Sequence, residues 1–259
     1  MININNYNYK SWGDKYDNNK VNLRQLYVND SWNEFFSRDD IIEILKKIEF
    51  FLEFCLKKTK GKIKIFPYPD LLFSSFNYTP LNKLKVVILG QDPYHNFEYH
   101  NNKIIPQAMG LSFSVPRGIK IPSSLKNIFK NMKKYNQIMY IPKFGDLSFL
   151  AYQGCLFLNT SLTVQCGHPN SHSKKWSEFT DKLIEYISNK KDNIIFLLWG
   201  SPSLSKLNLI DKSKHFVTIS SHPSGLSCNR SLREYNSFNN TNHFKKINYK
   251  LNKKIIWQI

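Results

Sequence analysis

The sequence predicts a single α/β domain with a central, mostly parallel four-stranded sheet flanked by helices. Three observations predict this fold class: short, almost continuously apolar runs of strand length, longer segments with helical apolar spacing, and 259 residues with 41% hydrophobic content. That length and content suffice for one sizeable core, which excludes a disordered chain. No apolar run approaches the ~20 residues that a bilayer-crossing helix needs.

Residues 1–30 differ in composition from the rest of the chain. They are predicted to form a flexible, solvated tail, because Met1–Lys20 is rich in Asn, Tyr and Lys and contains no apolar segment. A secretory signal needs such a segment, so the protein is expected to be intracellular, in the cytoplasm or nucleus. The folded domain is predicted over residues 31–259, with no linker that divides it.

Apolar residues recur at helical spacing in three segments of this domain. The first segment follows Asp39 and Asp40, which suit a helix N-terminus, and its stripe contains Ile41, Leu45, Ile48, Phe51, Leu52, Cys55 and Leu56. The second begins after Pro122, where Ser123 or Ser124 is expected to cap the helix. The stripe of the second contains Leu125, Ile128, Phe129 and Met132, and that of the third contains Trp176, Phe179, Leu183 and Tyr186 or Ile187.

Four short apolar runs are predicted to be the strands of the sheet: Val86–Leu89, Leu156–Leu158, Ile194–Trp199 and Phe216–Ile219. Each run is followed by polar, turn-forming residues, at positions 90–95, 159–160, 200–202 and 220–224. In open α/β sheets, ligands bind beyond the carboxyl ends of the strands. The four polar clusters are therefore expected to converge on one pocket, although each alone is typical of an ordinary turn.

The chain carries a large excess of positive charge. It has 37 Lys and Arg against 19 Asp and Glu, which gives a formal net charge of +18. Such an excess on a compact domain favours a polyanionic partner, most often nucleic acid. The alternative is an AT-rich genome that fills the surface with Lys and Asn without any such partner.

The cysteines do not predict a metal site. They are scattered and form no CxxC pair, at positions Cys55, Cys155, Cys166 and Cys228. Cys166 with His168 and His172 offers three metal-binding side chains, but no fourth ligand lies nearby in the sequence. Free thiols in a reducing compartment are the expected state.

The polar clusters and their neighbours form an ordered series of motifs. The most specific are Gly-Gln-Asp-Pro-Tyr-His at 90–95 and His-Pro-Ser-Gly-Leu-Ser at 222–227. Between them lie Gly-Leu-Ser-Phe-Ser-Val at 110–115, Ile-Pro-Ser-Ser-Leu at 121–125, Leu-Asn-Thr-Ser-Leu-Thr-Val at 158–164, Asn-Ser-His at 170–172 and Leu-Leu-Trp-Gly-Ser at 197–201. The series resembles the uracil-DNA glycosylases of the main type (family 1).

The resemblance implies that family's three-layer sandwich. It also implies a monofunctional hydrolase that releases uracil from DNA, leaves an abasic site and initiates base-excision repair.

The resemblance implies two catalytic residues. Asp92 would orient the attacking water and stabilise the oxocarbenium-like sugar. His222 would act as a neutral imidazole that donates a hydrogen bond to uracil O2. One carboxylate can suffice, because the leaving group is a stabilised uracil anion. Without the resemblance, both side chains are explained as turn residues before a proline. No metal or redox cofactor is implied.

The resemblance also implies a uracil pocket. Asn159 would accept from N3–H and donate to O4, a pattern that cytosine reverses. Tyr94 would exclude the C5 methyl of thymine, Phe113 would stack on the base, and the Gln91 backbone would line the pocket. Without the resemblance, Asn159 is explained as a turn former and Phe113 as a core residue.

A uracil inside a duplex is reached only by extruding its nucleotide. Leu226 resembles the apolar wedge that fills the vacated stack. Phosphate contacts are expected from small loops and one histidine: Pro122, Ser123, Gly200, Ser201, Ser224 and His172. The alternative for His172 is a solvated position on the surface. The charges expected to steer DNA are Lys126, Lys174, Lys175 and Arg230. The expected partners are uracil-containing single- or double-stranded DNA and a DNA-mimic protein inhibitor. The protein is expected to be a monomer and not to bind membranes.

The sequence departs from the family's pattern in several places. Asn96–Pro106 is an insertion after the water-binding loop, and Ser231–Thr241 is an unusually long, Asn-rich stretch. Met109 replaces a customary histidine, while Ser123 and Gly225 replace prolines. The glycine and the long stretch are expected to give a more mobile DNA-facing rim. The insertions motivate an alternative function, a glycosylase fold retained as a DNA-binding or replication-scaffold subunit with weak activity.

Overall fold

The computed structural model describes residues 2–251 and 254–259. Its strands are Ile65–Phe66 (β1), Val86–Gly90 (β2), Phe97–His100 (β3), Lys103–Pro106 (β4), Cys155–Asn159 (β5), Val164–Gln165 (β6), Ile195–Trp199 (β7) and Phe216–Ser220 (β8). Its α-helices are Trp12–Lys15 (α1), Asn33–Phe36 (α2), Asp39–Lys58 (α3), Ser74–Tyr78 (α4), Ser123–Lys134 (α5), Ser148–Tyr152 (α6), Ser173–Lys190 (α7), Ser201–Leu204 (α8) and His243–Lys250 (α9). Single turns of 3₁₀-helix connect several of these elements.

The central sheet has the strand order β5–β2–β7–β8, and every neighbouring pair is parallel. The four predicted apolar runs are these four strands, with each end shifted by at most one residue. Two short antiparallel ribbons, β1–β6 and β3–β4, lie outside the sheet. The predicted parallel four-stranded sheet is therefore confirmed.

Helices cover both faces of this sheet. Along β2, Val86 and Ile88 belong to one hydrophobic core, whereas Val87 and Leu89 belong to the other. The helix α5 packs into the first core, and α3 and α7 pack together in the second. Because apolar side chains leave both faces of the strands, the sheet is buried between two helical layers, which confirms the predicted sandwich.

The three predicted helices are α3, α5 and α7, and one of them begins differently from the prediction. Pro122 is the N-cap of α5, with no hydrogen bond from a capping side chain. The cap predicted for Ser123 or Ser124 is therefore wrong. The physical reason is that Pro122 already has an extended backbone, so that Ser123 is the first helical residue. Within the residues described, no helix is long and apolar enough to cross a bilayer.

The N-terminal segment packs against the domain rather than extending into solvent. Trp12 is only 1% exposed, and its indole N–H donates to the carbonyl oxygen of Pro67 at 2.8 Å. Leu23 is buried as well, and its backbone N–H donates to the buried carboxylate of Glu49 at 2.7 Å. The solvated tail predicted for residues 1–30 is therefore wrong over residues 2–30. Its aromatic side chains bury enough apolar surface to offset the polar composition.

The buried indole of Trp12 gives a test of this packing. We expect Trp12→Ala to lower the free energy of unfolding by about 3–5 kcal/mol, because it removes a large buried ring and an indole hydrogen bond. Chemical denaturation of the purified protein measures the loss. The exposed Tyr27 provides a matched control, and Tyr27→Ala is expected to change the free energy of unfolding by less than about 0.5 kcal/mol. Equal stability of the two variants would contradict the structural role of the segment.

Candidate active site

One cavity lies beyond the carboxyl ends of the central strands, where the sequence predicts a pocket. Its volume is about 490 Å³. The predicted site residues that line it are Gln91, Asp92, Tyr94, Phe113, Asn159, His222, Ser224 and Leu226. Three of the four predicted clusters, those after β2, β5 and β8, therefore converge on this pocket, whereas the fourth, at 200–202 after β7, lines a second cavity instead.

Asp92 is positioned by a backbone amide from the loop before α7. The N–H of Asn170 donates to Asp92 Oδ2 at 2.7 Å, and the Asn170 backbone is left-handed with φ of 63°. Burial raises the pKa of Asp92 above its ordinary value, and the Asn170 hydrogen bond acts in the opposite direction, as does the nearby His95. The same loop is held by Gln91, whose side-chain amide donates to Asn170 Oδ1.

Asn159 presents its side-chain amide to the cavity at the end of β5. It pairs with Gly90 at the end of β2. A Cβ added at Gly90 would lie 2.3 Å from Asn159 Oδ1 and 2.9 Å from the Cβ of Ser112. Only glycine leaves room for the amide at this position. In residues 2–251 and 254–259, no protein group hydrogen-bonds this buried amide. It is therefore available to a ligand.

An aromatic wall forms one side of the cavity. Phe113 has a left-handed backbone with φ of 64°, a conformation that costs a bulky side chain roughly 1–3 kcal/mol. The hydroxyl of Tyr94 donates to the Phe113 carbonyl oxygen at 3.3 Å, and the Trp199 ring packs 5.4 Å from the Phe113 ring. These contacts fix the ring in its unusual backbone conformation.

His222 faces this wall as a neutral imidazole. Its ring centroid lies 5.8 Å from that of Phe113. Burial lowers the pKa of His222 to about 4. The backbone N–H of Ser224 donates to Nδ1 at 3.1 Å, so the ring proton of the neutral form is on Nε2. A hydrogen-bond donor of fixed tautomer therefore stands in the cavity.

A second, neighbouring cavity of about 460 Å³ is lined by the other polar loops. Gly200, Ser201 and Ser224 contribute to it, and Arg230 adds a positive charge. Leu226 lies at the border of both cavities and is 85% exposed, which is unusual for a leucine. Pro122 and Ser123 stand at the start of α5, whose next residue, Ser124, lines the first cavity.

His172 does not lie on this surface. Its side chain is 2% exposed, its Nδ1 is 2.8 Å from Thr163 Oγ1, and its ring packs edge-on against Phe51 at 4.9 Å. The phosphate contact predicted for His172 is therefore wrong, and so is the solvated alternative. A buried ring that fills the space between α3 and α7 cannot reach DNA.

The structure brings three further residues to the site. They lie within the quoted motifs, but no role was predicted for them. Asn170 positions Asp92, and Trp199 supports Phe113, as described above. His95 lines the first cavity, and within the described chain its buried Nδ1 has no hydrogen-bond partner. Its place in the hexapeptide that contains Asp92 was the available signal. No group of three or more His, Cys, Asp or Glu among the residues described could hold a metal ion.

This fold, with a carboxylate, an amide and a neutral imidazole around one cavity, defines a hydrolase of N-glycosidic bonds. The chain belongs to the uracil DNA glycosylase superfamily, whose family model matches residues 76–252. It is 36% identical over 274 residues to the probable uracil-DNA glycosylase of Acanthamoeba polyphaga mimivirus, covering 100% of this chain and 72% of that one. It is 44% identical over 219 residues to the uracil-DNA glycosylase of Psychromonas ingrahamii, covering 84% and 94%.

Solved structures agree with this membership. The crystal structure of mimivirus uracil-DNA glycosylase superposes with a TM-score of 0.91 at 36% identity, covering 100% of this chain and 97% of that one. A variant of the mimivirus protein in complex with UGI superposes with a TM-score of 0.92 at 37% identity, covering 100% and 99%. The predicted family is therefore confirmed.

The lowered pKa of His222 gives a test of the site. Nuclear magnetic resonance of labelled histidine rings is expected to show a neutral Nε2–H tautomer with a titration midpoint of about 4. A peptide of the same local sequence is expected to titrate near the ordinary pKa of about 6.5. Because the folded-state pKa is the lower one, this ring stabilises the fold above about pH 6.5, and the contribution is lost as the pH falls through about 4. A midpoint near that of the peptide would contradict the burial described.

Proposed function

We propose that this protein extrudes uracil from DNA and hydrolyses its N-glycosidic bond, leaving an abasic site that begins base-excision repair. The observation that carries the proposal is the single cavity in which Asp92, Asn159 and His222 stand around the Phe113 ring. Each group matches one demand of the reaction: a nucleophile, recognition of the base, and stabilisation of the leaving group.

His222 supplies the leaving-group stabilisation. Breaking the bond leaves negative charge on the departing uracil, shared by its oxygens. The Nε2–H of His222 donates a hydrogen bond to O2, because Nδ1 already accepts from Ser224 N–H. The hydrogen bond from a neutral donor becomes stronger as the anion develops. A neutral ring also avoids the cost of burying a charge in the cavity before the bond breaks. Imidazolium is not needed, which agrees with the low pKa of this ring.

Asp92 orients the nucleophile, a water molecule, and supplies electrostatic stabilisation. Its carboxylate accepts a hydrogen bond from the attacking water and faces the positive charge that forms on the sugar. The Asn170 N–H holds Oδ2 and favours the ionised form, which leaves Oδ1 for water. The unpartnered Nδ1 of His95 beside it offers a second hydrogen bond that orients the same water.

Asn159 and Tyr94 choose the base. One amide accepts from N3–H and donates to O4 of uracil, whereas cytosine presents the opposite pattern and leaves the buried amide unpaired, at a cost of about 1–3 kcal/mol. Thymine has the same hydrogen-bonding edge, so the Tyr94 ring excludes its C5 methyl by contact. The hydrogen bond from Tyr94 to Phe113 keeps this wall in place.

The exposed Leu226 and the small loops hold the DNA. Extrusion of a nucleotide costs on the order of a few kcal/mol. An apolar wedge that fills the vacated stack offsets part of that cost. The phosphate contacts come from Pro122, Ser123, Gly200, Ser201 and Ser224. Arg230 at the second cavity and the exposed Lys126, Lys174 and Lys175 attract the backbone in a salt-dependent way.

The proposal extends to partners and place of action. We propose that the protein acts as a monomer inside the cell, in the cytoplasm or nucleus, on both single- and double-stranded DNA. Buried free thiols such as Cys155 and Cys228 support a reducing compartment. The likeness to the mimivirus protein, solved with the inhibitor UGI, supports a DNA-mimic inhibitor docking on the same surface. Such an inhibitor would contact Leu226 in place of DNA.

A uracil-release assay tests the function and the role of Asp92 together. Wild-type protein is expected to release uracil from single- and double-stranded uracil-DNA in the presence of EDTA. Asp92→Asn is expected to lower kcat by roughly 10³-fold with DNA binding almost unchanged, because it removes charge but keeps shape. Asp192→Asn, an exposed carboxylate beyond α7, is the matched control. No release by the wild type would overturn the function in favour of a DNA-binding scaffold, and full activity of Asp92→Asn would overturn this role.

The wall residue gives a second, independent test. Tyr94→Ala is expected to admit thymine and release it measurably, because the ring that meets the C5 methyl is gone. Tyr94→Phe keeps the ring and is expected to reject thymine as the wild type does. Chromatography of the free bases released from thymine- and uracil-containing DNA measures both variants. If Tyr94→Ala still releases uracil but no thymine, another residue excludes the methyl group.

A further inference from the structure

The insertion at residues 96–106 forms a hairpin at the edge of the active-site cavity. Its strands, β3 and β4, pair in antiparallel register, with His100 opposite Lys103 at the tip. His95 and Ala108, which flank the hairpin in the chain, both line the cavity. The backbone N–H of Gln107 donates to the Asn96 carbonyl oxygen at 3.0 Å and closes the base of the hairpin. The hairpin therefore begins and ends at the rim of the site.

The turn and the anchoring contacts give this hairpin a defined shape. Asn101 and Asn102 have φ of 48° and 59°, the left-handed pair that a two-residue hairpin turn requires. Along β4, the Tyr68 hydroxyl donates to the Ile104 carbonyl oxygen at 3.3 Å, and Ile105 is buried in the core. Four residues per strand give the hairpin a length of roughly 13 Å.

The exposed surface of the hairpin and its neighbours combines an aromatic ring with lysines that form no ion pair with the described residues. Tyr99 is 69% exposed and packs edge-on against Phe97 at 5.3 Å. The ammonium of Lys64 lies 4.9 Å from the centre of the Phe97 ring. Lys64, Lys103 and Lys120 are exposed, and none of them forms an ion pair with the parts of the chain that the structure describes. The nearby carboxylate of Glu98 accepts from the Lys120 backbone N–H at 3.1 Å.

We propose that this hairpin binds the single strand of DNA that flanks the extruded uracil, with Tyr99 stacking on an unpaired base and Lys64 and Lys103 contacting phosphates. The inference rests on the proposed function, because the hairpin leaves the cavity rim at His95 and Ala108, beside the opening through which a strand would deliver uracil. An exposed aromatic ring among free lysines is the combination that holds single strands without reading their sequence. Continuity with the cavity and the positive charge both favour a nucleic-acid strand over a protein partner.

Substrates of two lengths separate this role from a general effect on the active site. A long single strand with central uracil reaches the hairpin tip, whereas an oligonucleotide of a few residues fills only the cavity. Tyr99→Ala is expected to raise KM for the long strand about tenfold, with KM for the short one and kcat for both unchanged. Tyr99→Phe, which keeps the ring, is expected to match the wild type. Tyr249→Ala, an exposed tyrosine on α9, is the control for loss of an exposed ring.

The lysine contact has its own readout. Lys103→Ala is expected to weaken binding of the long strand and to lower the salt dependence of that binding by about one phosphate contact. An unchanged KM for the long strand in Tyr99→Ala, or an equal rise for both lengths, would overturn the proposal. If the wild type releases no uracil at all, the proposed function fails. The role of the hairpin is then decided by comparing the affinities of the wild type and of Tyr99→Ala for a uracil-free single strand. A loss of that affinity in Tyr99→Ala upholds the hairpin's role, and an unchanged affinity overturns it in favour of a protein partner.

Discussion

The register of the parallel sheet is the constraint on which the site depends. Gly90 pairs with Asn159 and Trp199 pairs with Ser220, so that the strands end level at one edge of the sheet. The strands are apolar on both faces, and polar groups can therefore gather only beyond their carboxyl ends. The tightest point is Gly90, because any side chain there would occupy the place of the Asn159 amide. A shift of one residue between β2 and β5 would turn that amide to the other face.

Burial shifts the pKa values of Asp92 and His222 in opposite directions, and a backbone amide holds each side chain in place. Removal from water raises the pKa of Asp92 and lowers that of His222, so it favours the neutral form of both. The N–H of Asn170 donates to Asp92 and favours the charged form. The N–H of Ser224 donates to the His222 ring and favours the neutral form with its proton on Nε2. Two amides in loops thus orient a carboxylate and a neutral hydrogen-bond donor at neighbouring positions in one cavity.

The sequence predicted the parts of the molecule that follow local patterns. Strand boundaries follow apolar runs, and the site residues beyond them follow motifs, so that the sheet and the members of the cavity were both expected. Apart from the cap expected at Ser123 or Ser124, the errors concern residues placed by contacts with other elements. Trp12 lies in a polar segment, and its burial depends on Pro67 and the helices behind it. His172 sits in a motif beside polar residues, but Phe51 in α3, distant in the sequence, packs against its ring, and Thr163 pairs with it. Composition of a short window cannot reveal such partners.

The long stretch Ser231–Thr241 has a similar explanation, and it bears on the aromatic wall. Its composition predicted a mobile rim, yet Phe238 is fully buried, its N–H donates to Ser221 Oγ at 2.9 Å, and its carbonyl oxygen accepts from Asn131 at 2.9 Å. Phe238 stacks on His243, which accepts a hydrogen bond from the indole of Trp199, and Trp199 supports the strained Phe113. The second half of the stretch therefore supports the wall from behind. The part of the stretch before Ser237 faces solvent at the rim and makes no contact with the wall, so a change in its length is expected to leave the wall intact.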